Sequence, residues 1–286
     1  PNILDSLKLD QALRLSKKKA KEGSTEEAQR IYQDILVKFP KNKRAIDGIK
    51  ALAGGPVGKT SKVQDPPQYQ LQSLIDLYSQ GLLQKALEQA TVLLRQFPSS
   101  SVLYNICGAV YKELGQFDAS VEAYSKALTI TPNNAQFYSN MGVALQEQGK
   151  LEEAIDAYNK ALAIKPNYAD AYYNLGNTFK EQGKLEEAIE AYNKSIVIKP
   201  NYTEAYSNLG GTLQEQGKLE EAIEAYKRTI AIAPNNAEVY SNIGVALQEQ
   251  GKLEEAIDAY NKALAIKPNY ADVYTNMGVT LQEQGK

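Results

Sequence analysis

The 286-residue chain contains no histidine and no tryptophan, one cysteine and two methionines. Without histidine, the usual general base, the usual zinc ligand and most dyads that activate a nucleophile are missing, so most enzyme classes are excluded. The single cysteine, Cys107, excludes an internal disulfide framework. A strong charge of one sign is also lacking: the formal net charge of −2 argues against a dedicated nucleic-acid binder. No run is long and apolar enough for a signal peptide or a membrane span, so no membrane contact and a reducing, cytoplasmic location are expected. The first residue, Pro1, is not an initiator methionine, which leaves room for a leader upstream.

What the chain does have is repetition. Gly108, Gly142, Gly176, Gly210, Gly244 and Gly278 recur every 34 residues, and the phrase LQEQGKLEEAI begins at both Leu145 and Leu247. Counted from Ala135, the unit reads AQFYSNMGVALQEQGKLEEAIDAYNKALAIKPNY. Its apolar residues fall at helical spacing in two runs, so each unit is expected to be two helices. Gly149 closes the first, because glycine takes the left-handed conformation that ends a helix. Pro166 ends the second, because it cannot donate the next helical hydrogen bond. Gly142 and Ala154 are small where the two helices approach, and Tyr138, Met141, Leu145 and Tyr158 fill the surrounding space. One such hairpin leaves its apolar faces wet; stacking successive hairpins buries them and winds the array into a superhelix.

Tyr-x-x-[Leu/Met/Ile]-Gly followed by Gly, Ala, Tyr, Ala and Pro at these intervals resembles the tetratricopeptide-repeat (TPR) family. The resemblance implies an all-α fold, a right-handed TPR superhelix of antiparallel hairpins. Tyrosine stands throughout where the family usually has its early tryptophan (Tyr104, Tyr138, Tyr172, Tyr206, Tyr240, Tyr274), and Ser195 and Thr229 replace an alanine. Five regular repeats are expected over residues 101–270, and residues 271–286 are expected to form the first helix of a further one. Residues 67–100 read as a divergent repeat, with Leu74 where the close-contact glycine belongs, and residues 1–52 as a divergent hairpin plus an extra helix. Residues 53–66, rich in glycine and proline, read as a linker or loop. Residues 135–168 and 237–270 are nearly identical and lie 102 residues apart, the mark of a duplicated three-hairpin block.

Several motifs invite chemistry and are better read as structure. AGGPVGKT (residues 53–60) satisfies a permissive phosphate-loop pattern, but a helix is expected before it and Pro66-Pro67 follow, so it is read as linker. Cys107 occupies a column filled elsewhere by Met141, Leu175, Leu209, Ile243 and Met277, so it should behave as a small buried hydrophobe. The pairs Glu152-Glu153, Glu186-Glu187, Glu220-Glu221 and Glu254-Glu255 diverge around a helix and sit where negative charge complements the helix dipole. Lys17-Lys18-Lys19 reads as a solvated helix face. No catalytic residue, metal or cofactor is expected.

Asn140, Asn174, Asn208, Asn242 and Asn276 place one asparagine at the same point of five successive repeats. Asparagine is a mediocre helix former, so the column needs a reason beyond propensity. Either the amides link adjacent hairpins or follow the duplication, or they face a concave groove and offer donors and an acceptor to a peptide backbone. The TPR superhelix of O-linked N-acetylglucosamine transferases is similar in its inward-facing, peptide-binding asparagines, which implies the second role. Family geometry adds Tyr173, Asn177 and Lys180, and small neighbours such as Ser139 and Ser241. The glutamates from Glu147 to Glu283 make the lower rim mixed to acidic, which suits a neutral or modestly basic ligand.

The expected function is therefore a non-enzymatic protein–protein interaction scaffold that binds an extended peptide or protein segment. One alternative is a substrate-recruiting arm of a larger transferase, because divergent N-terminal repeats of this kind resemble bacterial fusions to sulfo-, glycosyl- or methyltransferase domains. Another is self-assembly into a homo-oligomer through the solenoid ends.

Overall fold

The computed structural model describes residues 3–5, 7–22, 24–53 and 65–285. Among them are sixteen α-helices and no strand, in two compact units divided between Val63 and Gln64. The first unit holds α1 (Leu9–Lys21), α2 (Thr25–Lys38) and α3 (Lys43–Ala53) around fully buried Ala12, Ala28, Ile35 and Ala45. Ser16 stands where the regular hairpins carry their close-contact glycine, and its buried hydroxyl donates to the Leu13 carbonyl at 3.0 Å. The glycine has moved to the next helix, and the Tyr32 ring lies against Gly48 of α3. The candidate phosphate loop beyond Ala53 and most of the expected linker lie outside the described residues.

The second unit is a succession of hairpins. Its helices are α4 (Gln68–Ser79) and α5 (Leu83–Gln96), α6 (Ser101–Glu113) and α7 (Phe117–Ile130), and α8 (Ala135–Glu147) and α9 (Leu151–Ile164). Next come α10 (Ala169–Glu181) and α11 (Leu185–Ile198), α12 (Thr203–Glu215) and α13 (Leu219–Ile232), α14 (Ala237–Glu249) and α15 (Leu253–Ile266), then α16 (Ala271–Glu283).

Local chemistry sets each hairpin. At the first turn of the regular unit Gly149 has φ +78°, its N–H donates to the Gln146 carbonyl, and the Lys150 N–H reaches back to Leu145. This is the two-bond closure that a left-handed glycine permits, and it satisfies carbonyls the helix end would leave open. Asn134 and Asn236 cap their following helices through side-chain oxygens 3.1 Å from the N–H groups of Phe137 and Val239. Where tyrosine replaces that asparagine, a lysine ammonium lies over its ring: Lys199 over Tyr202 at 3.7 Å, Lys267 over Tyr270 at 4.2 Å.

The glycine column is a steric necessity. A Cβ on Gly142 would sit 2.6 Å from the Tyr158 ring, and one on Gly176 2.7 Å from that of Tyr192. Gly108, Gly142, Gly176, Gly210 and Gly244 thus make room for the tyrosine of their own second helix, which is fully or nearly fully buried. In the divergent hairpin α4–α5 the two sizes trade places, with Leu74 in the glycine column and Ala90 in the tyrosine column, both fully buried in one cluster. The volume is conserved while its source changes helix. Cys107 is buried, and desolvation pushes its thiol up to about 11.

First helices of successive hairpins touch, α6 to α8, α8 to α10 and onward to α16, whereas second helices of successive hairpins do not touch one another. The layer whose members meet has the smaller radius of curvature, so the first helices line the inside of the all-α helical-repeat superhelix. Their polar stripe becomes the concave face.

Candidate functional site

On α8 the residues Ser139, Asn140, Val143, Gln146 and Glu147 fall three and four apart, so one face of the helix carries them. The same stripe recurs on α10, α12, α14 and α16. All five ladder asparagines lie on it, and all five are half-buried.

Two of the five bridge neighbouring repeats. The Asn140 amide donates to Asn105 Oδ1 at 2.9 Å; that of Asn208 donates to Asn177 Oδ1 at 2.8 Å and to the Tyr173 hydroxyl at 3.2 Å. No side-chain hydrogen bond is present among the described residues for Asn174, Asn242 and Asn276. The linking role is thus seen at two of the five positions.

Tyr173, Asn177 and Lys180 all stand on α10, at positions where α8 and α14 carry serine, valine and glutamine. Asn177 Oδ1 accepts from both the Tyr192 hydroxyl, at 2.7 Å, and Asn208. The Tyr173 ring packs 5.0 Å from that of Tyr202 and 6.1 Å from that of Tyr192. Lys180 Nζ lies 3.5 Å from a Glu215 carboxylate oxygen, over the space a side chain at Gly211 would enter.

On α8, α12 and α14 glutamine takes the Lys180 position and forms a relay, whereas α6 carries a second lysine there, Lys112. Tyr158, Tyr226 and Tyr260 donate to the side-chain oxygens of Gln146, Gln214 and Gln248. The amides of those glutamines donate to Glu181, Glu249 and Glu283 of the following repeat. Along the rim these cross-repeat bonds hold Glu181, Glu249 and Glu283 in place with a neutral donor, whereas Glu215 pairs with Lys180. Burial raises the pKa of the relay tyrosines; for Tyr226 the value is pushed up to about 12.

One sequence expectation changes. Ser139 and Ser241 are 3% and 5% exposed, so they are not groove contacts: a side chain this short stays beneath the contact between successive first helices. The carboxylate pairs do begin second helices, and Glu152 and Glu186 also accept hydrogen bonds from the glutamines Gln182 and Gln216 that cap first helices of the following repeats. In the first unit Lys18 and Lys19 pair with Glu22 and Glu27 at 3.8 and 2.7 Å.

The repeat pattern gave no warning of a second surface feature. Between second helices of successive hairpins lie clefts of about 310, 290 and 320 Å³. Tyr104, Tyr172 and Tyr206 contribute to their floors, and the pairs Glu190–Lys194 and Glu224–Arg228 stand at two rims. The signal available in sequence was that tyrosine column, which replaces the family's usual tryptophan.

No helix of the described residues is long and apolar enough to cross a membrane. Comparison with the curated proteins finds no match. Family profiles described as "TPR repeat" match residues 108–149, 145–183 and 176–217, and profiles described as "Tetratricopeptide repeat" match 201–269 and 259–286. Among solved structures the chain is similar to MamA, with 31% identity over 60% of this chain and 94% of that one, at a TM-score of 0.55. YrrB, described as a TPR protein with an unusual peptide-binding site, is 22% identical over 65% of this chain and 96% of that one, at 0.55. The type IV pilus biogenesis factor PilW is 21% identical over 73% and 99%, at 0.66, a likeness of fold. With consecutive repeat matches from residue 108 to 286 and hairpins closed by the same glycine–tyrosine contact, this chain belongs to the tetratricopeptide-repeat family and is a protein-interaction scaffold.

Proposed function

We propose that the chain binds an extended peptide segment along the concave face, with Asn140, Asn174, Asn208, Asn242 and Asn276 bonding to the peptide backbone. The observation that carries this reading is the placement of five half-buried asparagines, one per repeat, on the helix layer that lines the inside of the superhelix. A side-chain amide offers two donors and an acceptor, so even Asn140 and Asn208 keep capacity after bridging to a neighbour. Such contacts read backbone rather than side chains, and an extended segment presents a backbone group at regular intervals. Tyr173, Asn177 and Lys180 give the middle of the face its own shape and charge. The peptide-binding site named for YrrB and the resemblance to the asparagine-bearing transferase superhelix support the same class of ligand.

The test is selection from a random displayed-peptide library, run in parallel on the chain and on its Asn174→Ala, Asn208→Ala, Asn242→Ala triple variant. Enrichment by the parent and its loss in a variant of unchanged circular dichroism is the expected result. Equal enrichment by both would remove the ladder from the function.

A further inference from the structure

We infer that the segment taken by the concave face is basic, with lysine or arginine side chains alternating toward two acidic rows that flank the asparagine ladder. This rests on the groove reading above and deepens it.

The first helices α8, α10, α12, α14 and α16 carry nine carboxylates and a single cation, Lys180. The carboxylates stand in two columns. Asp170, Glu204, Glu238 and Asp272 occupy the second residue of their helices, and the glutamates from Glu147 to Glu283 occupy the thirteenth. All nine are exposed. Eleven residues is close to three helical turns, so both columns lie on the same face as the ladder, about 16 Å apart along the helix. The asparagines lie between them, about 6 Å from one row and about 10 Å from the other.

Asp170 has Lys199 at 3.8 Å, and Glu215 has Lys180 at 3.5 Å. The other seven have no ion-pair partner among the described residues. Along the lower row the hydrogen bonds from Gln146, Gln214 and Gln248 fix carboxylates without neutralising them. A face of this sign repels acidic segments and attracts basic ones. The geometry adds a pattern to the charge. Successive side chains of an extended segment point to opposite sides of its backbone, so a backbone seated on the ladder sends alternate side chains to alternate rows. Lysine and arginine have the reach and the sign for both.

The test uses the full chain and three labelled peptides of equal length in which every non-glycine position is lysine, glutamine or glutamate. Three variants are compared with the parent: Glu181→Gln/Glu249→Gln on the inner face, Glu220→Gln/Glu254→Gln on second helices with the same change in net charge, and the triple asparagine variant. The lysine peptide should bind most tightly, lose about tenfold in affinity between low and near-molar salt, and weaken several-fold in the inner variant but not the outer one. Equal affinity of the lysine and glutamine peptides, or equal weakening by the inner and outer variants, overturns the inference. If the glutamine peptide binds as well as the lysine peptide and both are lost in the asparagine variant, the groove reading stands and the charge preference falls. If the lysine preference survives in the asparagine variant, the ladder falls and the acidic face remains.

Discussion

Gly176 and Gly278 hold the same position in the repeat and meet different surroundings. An alanine methyl at 176 would enter the Tyr192 ring, 2.7 Å away, while one at 278 meets nothing within 4 Å. Gly176→Ala should therefore cost about 1–3 kcal/mol through overpacking. Gly278→Ala should be neutral or stabilise by up to about 1 kcal/mol through helix propensity. Urea midpoints of the two variants check the contrast, and equal shifts would contradict it. The column's need for a small residue was legible from the 34-residue period. Which ring fills the gap was not, because the sequence also offered Ala154 as the close neighbour, and only the packed hairpin puts the Tyr158 ring against Gly142.

At the scale of the hairpin, the exchange of Leu74 and Ala90 makes a coupled prediction. Ala90→Tyr alone places a large ring beside Leu74 in a filled cluster and should destabilise by about 1–3 kcal/mol or more. Adding Leu74→Gly restores the arrangement of the regular hairpins and should recover part of the loss, a coupling visible in a double-mutant cycle by thermal unfolding. Strict additivity would show that the two columns do not share one space. The sequence revealed half of this exchange, because Leu74 breaks a conspicuous glycine column, whereas an alanine among many alanines draws no notice. The site is split in the same way. A repeated asparagine is visible in sequence, but the partners of Asn140 and Asn208 lie 35 and 31 residues earlier, and their pairing depends on how one hairpin leans on the next.

For the whole molecule, buried tyrosines and one buried thiol set the response to pH. Cys107 is pushed up to about 11 and Tyr226 to about 12 from ordinary values of 9.0 and 10.0, chiefly by desolvation, and Tyr124, Tyr158 and Tyr192 are raised as well. A group held protonated by folding contributes stability that is complete below its unfolded value and lost as pH rises through its folded one. Chemical-denaturation midpoints should therefore be level from pH 6 to 8, where no histidine titrates, and fall steadily from about pH 9 to 12. A level profile up to pH 12 would contradict these burials. The sequence by itself determined the period, the two-helix unit and the all-α class, because helix spacing, turn glycine and terminating proline act within a few residues of one another. The tertiary structure decided which layer lies inside, which asparagines bridge to a neighbouring repeat, and how the carboxylates flank them. Those properties depend on the angle between successive hairpins, which arises from the summed packing of side chains about 34 residues apart and is written in no single stretch of chain.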